Sequence, residues 1–242
     1  MKKFILFTAF VLTASIVSSG QVTKKTLELP EFKSIYNNSN YTVYLKQTNK
    51  QEVVVEALAD IYELTNVIVE NGVLMINVER KPDNQNKSVW AKIDDIKVNP
   101  TMKVYVSVKN LTDLQVNGNG KIISENSIAA TVLTLSVSGS GSMDLDLKGD
   151  IVKTEVSGSG KISLKGYATS IDAVLSGSGD LLAFNCPLES AKIKVSGTGE
   201  AELNVTNTID AIVLGSGTIK HKGNTKSTTK KVYGSGSIER AY

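Results

Sequence analysis

The chain has 242 residues, 41% hydrophobic and 21% charged, with a formal charge of +3. These proportions describe one large folded domain or two small ones. They exclude a nucleic-acid binder, which needs a concentrated basic face, and also a polybasic membrane binder or an acidic disordered tail. One cysteine, Cys186, and one histidine, His221, exclude a disulfide framework, a thiolate metal cluster and a multi-histidine metal site.

Residues 1–20 read as a cleavable export signal. Lys2-Lys3 is a short positive start, Phe4 to Val17 is apolar, and Ser18-Ser19-Gly20 supplies the small residues of a cleavage site before Gln21. The apolar run is shorter than the roughly 18 residues a spanning helix needs. No cysteine ends it, so no lipoprotein acceptor is expected. No later stretch is apolar enough to span a membrane as a helix. The sequence therefore predicts no transmembrane segment after signal cleavage. The chain is expected in the periplasm, on the outer cell surface or secreted.

Residues 21–110 have strand character without a strict repeat. Tyr41, Val43 and Leu45 alternate with Thr42, Tyr44 and Lys46, and Val104, Val106 and Val108 alternate again. Val67 to Val78 is interrupted by Asn71-Gly72, a strong hairpin signal. Ile35 to Tyr41 reads as a degenerate corner in which asparagines replace glycines, because asparagine also tolerates left-handed backbone. Lys81 to Lys97 is polar, contains Pro82 and Trp90, and reads as an excursion. The expectation is a set of opening coils with a hairpin that protects an exposed sheet end.

Residues 111–242 carry one short pattern seven times. Its first glycines are Gly118, Gly139, Gly158, Gly177, Gly197, Gly215 and Gly234, spaced by 21, 19, 19, 20, 18 and 19. Its second glycines are Gly120, Gly141, Gly160, Gly179, Gly199, Gly217 and Gly236. A flexible linker would not hold such a period. Between corners the sequence alternates at period two, as in Ile162 and Leu164 against Lys161, Ser163 and Lys165. Short strands joined by a glycine corner at this period predict an all-β β-solenoid of about 19-residue coils. Leucine-rich repeats share the period but need leucines at offsets missing here. All fourteen glycines are assigned a structural corner role, and 21–242 is expected as one continuous domain.

Catalytic signatures fail one by one. At Gly160-Lys161 a phosphate loop would need glycine at 155 and Ser or Thr at 162, where Glu155 and Ile162 stand. No dinucleotide fingerprint opens a helix, and the corners lack the aspartates of calcium-binding β-rolls. His221 lies among polar residues and is expected at the surface, so no serine has a base. Cys186, before Pro187, is expected as a small buried residue. No cofactor, metal or catalytic residue is assigned. The aromatics give the one hint of recognition: Tyr36 and Tyr44 fall opposite the core parity, and with Trp90 they are candidate ligand contacts.

The export signal, Phe32-Lys-Ser-Ile-Tyr with Tyr-Thr-Val-Tyr-Leu, the Asn-Gly hairpin and the serial Val-Ser-Gly-Ser-Gly corners together resemble the bacterial head GIN domain family of auto-transporter adhesins. The resemblance runs from about residue 26 to 240. It implies a right-handed parallel β-helix, similar in shape to pectin-lyase folds without their catalytic residues. No barrel-forming segment is expected, since the sequence ends at Tyr242. The expected function is a non-enzymatic cell-envelope protein that binds a protein or polysaccharide. The alternative is a polysaccharide lyase or hydrolase on the same scaffold, built from carboxylates such as Asp94-Asp95, Asp144 or Asp146 that stacking would gather. A hexapeptide acyltransferase is disfavoured because its period would be fixed at 18. Neither the ligand nor the oligomeric state is legible in the sequence.

Overall fold

Period-two alternation makes each segment between corners a strand, and the corners set where it turns. A computed structural model describes residues 22–79 and 101–241. Residues 1–20, read above as an export signal, lie outside them, as do Trp90, Asp94-Asp95 and the Lys81–Lys97 stretch read as an excursion. Among the described residues seventeen strands share one continuous sheet, wound into a β-solenoid.

The regular part begins with β8 (Asp113–Gly118), β9 (Lys121–Ser124) and β10 (Ile128–Gly139). It continues through β11 (Ser142–Gly158), β12 (Lys161–Gly177), β13 (Asp180–Gly197) and β14 (Glu200–Gly215). Each of these last four leaves one corner, bends, and enters the next. The final coil is β15 (Thr218–Lys222), β16 (Ser227–Tyr233) and β17 (Ser237–Arg240). Successive coils pair in parallel, with Val137 on Val156, Val156 on Leu175 and Leu175 on Val195. Parallel pairing spaces the coils by about 4.8 Å, so inward side chains form continuous apolar columns. One such column runs Ile122, Met143, Ile162, Leu181, Ala201 and Ile219, all essentially inaccessible.

The N-terminal region stacks out of chain order. β2 (Ser34–Asn38) and β3 (Thr42–Gln47) form a coil that pairs on one side with β8 and β9. On its other side lie β6 (Val73–Val78) and β7 (Met102–Val108), although both come later in the chain. The earliest corner coil is thus an interior layer. This departs from a simple succession of opening coils.

Beyond β6 and β7 the pairing changes direction. β5 (Thr65–Glu70) pairs antiparallel with β6 across the Asn71-Gly72 turn, where both residues have positive φ. β4 (Glu52–Leu58) pairs antiparallel with β7, and β1 (Val22–Leu27) with β4. The short helix α1 (Ala59–Tyr62) joins β4 to β5 and buries Ile61. Antiparallel strands break the coil geometry and end the stack on this side.

Candidate binding surface

The seven corners lie in one ladder. Gly118, Gly139, Gly158, Gly177, Gly197 and Gly215 pair in sequence, and Gly234 stands over Gly215. The two glycines of a corner serve different needs. Gly158 has φ +108°, and an added Cβ would lie 2.7 Å from the carbonyl oxygen of Gly139. Gly160 is buried with ordinary φ, and a Cβ there would strike Val137 Cγ1 and approach the Gly141 oxygen at 2.8 Å. At this corner the first glycine turns the chain and the second admits the core valine of the coil beneath.

The asparagine-rich corner at Ile35–Tyr41 solves the same turn differently. Its register on β8 and β9 sets Ser39 beside Gly118 and Tyr41 beside Gly120. Glycine is therefore replaced by Ser39 and Tyr41, not by asparagine, and Asn71 is the non-glycine residue of positive φ among the described residues. Asn37 occupies the column held elsewhere by Val116, Val137 and Val156. Its amide donates to the Tyr41 carbonyl at 2.7 Å and its Oδ1 accepts from Ser39 Oγ at 2.6 Å. Tyr41 is fully buried, and its hydroxyl meets Thr65 Oγ1 at 2.7 Å. Burial pushes its pKa up to about 12.

Two outward faces flank the corners. On the face leaving the corner, Tyr44 stacks on Tyr105 with centroids 5.3 Å apart, and Lys24 Nζ lies 5.1 Å from the Tyr105 ring. Some of the charges along this face pair with one another. Lys24 and Lys103 meet Glu56, Lys161 meets Asp180 at 3.6 Å, and Lys220 meets Glu200 at 2.6 Å. Tyr36 lies on the other arm of its coil, half-buried between Met75 and Gln115 in register. The structure does not bring Tyr36 and Tyr44 onto one strand face.

The face entering the corner is organised in long rows. One row runs Asn77, Asn38, Asn117 and then Ser138, Ser157, Ser176 and Ser196, and the three asparagines are linked side chain to side chain. A second row alternates in charge: Lys153, Asp172, Lys192, Asp210. A third carries Ser170, Ser190, Thr208 and Ser227. These two rows line a shallow groove of about 450 Å³. Sequence reasoning missed this groove. The repeat spacing held its signal, since residues one coil apart become neighbours.

The groups weighed for catalysis are separated or buried. Asp144 is exposed beside Ile123 and Ser163, and Asp146 stands beside Lys165. None of these three register partners is an acid. Asp180 and Glu200 do become neighbours, each with its lysine partner. His221 is 4% exposed and not at the surface as its polar neighbours suggested. It ends the core column of Leu203, and neither ring nitrogen has a hydrogen-bond partner among the described residues. Desolvation, with the positive charges of Lys230 and Arg240, holds its pKa below the usual histidine value. Cys186 is fully buried, and burial raises its thiol to about 11, with Asp146 adding to the rise. Such a thiol is unreactive. Among the described residues no group of three or more metal-ligating side chains occurs, and no helix is long and apolar enough to cross a membrane.

The family model described as putative auto-transporter adhesin, head GIN domain, matches residues 31–225. A putative adhesin from Bacteroides fragilis is similar at 22% identity and TM-score 0.82, over 92% of this chain and 98% of that one. A putative adhesin from Parabacteroides distasonis shares 24% identity at TM-score 0.72, over 93% and 98%. A protein from the same species described as a putative lipid binding protein shares 21% identity at TM-score 0.71, over 93% and 98%. No curated protein matches the chain. At these identities the structural likeness carries the fold alone.

Proposed function

This chain belongs to the head GIN domain family of putative auto-transporter adhesins, and on that premise we propose a non-enzymatic binding protein of the cell envelope. In this reading residues 1–20 direct export. The mature chain, 21–242, acts as one domain and presents an outer face of its solenoid to a protein or glycan. The observation that carries the reading is the entering face. Its asparagine–serine row runs from β6 to β13, the charge and hydroxyl rows lie beside it from β11 to β16, and its corner glycines serve the turn and the stack. Repetition of one surface motif suits attachment to a partner that is itself extended or repetitive.

Two measurements test it. Mass spectrometry of the protein recovered from cell fractions should find a mature N-terminus at Gln21 outside the cytoplasm. A screen of the purified protein against glycans and intact cells should detect saturable binding. An uncleaved cytoplasmic chain, or no binding to any glycan, protein or cell, would contradict the proposal.

A further inference from the structure

We infer that the groove on the entering face is a binding site for a linear polysaccharide whose sugars alternate in charge, a carboxylate on one and a free ammonium on the next. The inference rests on the binding-protein reading above and names its ligand class. Lys153, Asp172, Lys192 and Asp210 follow one another in register, one per coil. Among the described residues no ion pair joins them, although the leaving face pairs Lys161 with Asp180 and Lys220 with Glu200. Four charges in a row, summing to zero, are thus presented outward in one groove. A polymer of a single sign would meet attraction and repulsion at alternate coils. A polymer alternating in step with the coils meets attraction at every one.

The spacing selects a saccharide over a peptide. Coils repeat about every 4.8 Å, a distance comparable to one pyranose ring, whereas same-side side chains of an extended peptide recur about every 6.8 Å. A peptide laid along the axis loses register within two or three coils. Beside the charges, the hydroxyls of Ser190, Thr208 and Ser227 make no hydrogen bond among the described residues and line the groove. They supply donors and acceptors for sugar hydroxyls at the same repeat. The groove presents no tyrosine or tryptophan, so charge and hydroxyl matching must supply the selectivity.

The test uses heparosan, an alternating polymer of glucuronate and N-acetylglucosamine, before and after removal of its N-acetyl groups. Chitosan oligosaccharide is the purely cationic control. Binding of the full-length protein, purified with its native N-terminus, is measured by calorimetry. The de-N-acetylated polymer should bind about tenfold or more tighter than either control. The double variant Lys192→Gln/Asp210→Asn should lose about tenfold in affinity at an unchanged melting temperature. Equal binding of parent heparosan or chitosan, or a double variant that binds like the wild type, would overturn the groove assignment. If the wild type and this variant attach to cells equally well, the groove assignment fails and the binding-protein reading stands. If the wild type attaches to nothing, both fail.

Discussion

Asn117 donates from its side-chain amide to Asn38 Oδ1 at 2.6 Å across 79 residues of chain. Asn38 donates in turn to Asn77 Oδ1 at 2.9 Å. The ladder reads 77, 38, 117 in space, so it ties together layers that the chain visits out of order. It also continues the serine row of the later corners. Closing these layers requires long loops, so formation of the β2–β3 coil between β6–β7 and β8–β9 is a non-local event.

The two corner glycines should fail for different reasons. Gly158→Val forces a branched residue into positive φ against the Gly139 carbonyl and should cost about 3 kcal/mol or more. Ser157→Ala, on the exposed side of the same corner, should change stability by about 0.5 kcal/mol or less. Gly160→Ala should cost about 1–3 kcal/mol, and less when Val137→Ala has removed one of its two obstructions. Urea unfolding of the four single variants and the Gly160→Ala/Val137→Ala double variant checks this; equal shifts for Gly158→Val and Ser157→Ala would contradict the corner assignment.

Two buried polar residues in the core should respond with opposite sign to the same substitution. Asn37→Val suits its valine column but strands the Tyr41 carbonyl and the Ser39 hydroxyl, costing about 1–3 kcal/mol. Thr154 lies between Leu135 and Ala173, and its Oγ1 has no partner among the described residues. Thr154→Val keeps the shape and should stabilise by about 1 kcal/mol. Thermal unfolding that showed both substitutions destabilising would refute the pairing account.

Tyr41 should make stability fall in alkali. Its folded pKa is about 12 against the ordinary tyrosine value of 10.0. Above the unfolded value the unfolded chain releases a proton that the folded chain keeps, so stability declines as pH rises from 10 toward 12. Tyr41→Phe should remove this slope and, through loss of the Thr65 contact, cost about 0.5–1.5 kcal/mol at neutral pH. An unchanged alkaline slope in the variant would show that Tyr41 is not its source.

His221 acts at the other end of the scale. Its folded pKa lies below 6.5, so on acidification the unfolded chain takes up a proton that the folded chain resists. Stability is complete above the unfolded value and is lost as pH falls through it, with a slope of up to about 1.4 kcal/mol per pH unit. His221→Leu extends the Leu203 column and should flatten this dependence without lowering neutral stability. A loss of stability at neutral pH would mean that the imidazole has a partner in solution.

The solenoid was legible because its glycines are periodic and its strands alternate, two signals that reinforce each other at every coil. The hairpin at Asn71-Gly72 was legible from its turn residues alone. The position of the β2–β3 coil was not, because layer order depends on pairing between distant segments and leaves no local pattern. His221 misled because its sequence neighbours are polar, while alternation with Ile219 sets it on the inward parity. Asn37 misled because an amide in a valine column is readable only once its two partners are known. The charge row needed coil register, which irregular spacings of 18 to 21 residues blur until the strands are paired.

The most direct test of binding without turnover is to incubate the purified protein with acidic and neutral polysaccharides and follow retained polymer and released chain ends together. Retention with unchanged polymer length, in the wild type and in Asp144→Asn and Asp146→Asn alike, is the predicted result. Shortened chains that disappear with either substitution, at an unchanged melting temperature, would make the protein an enzyme and contradict the account.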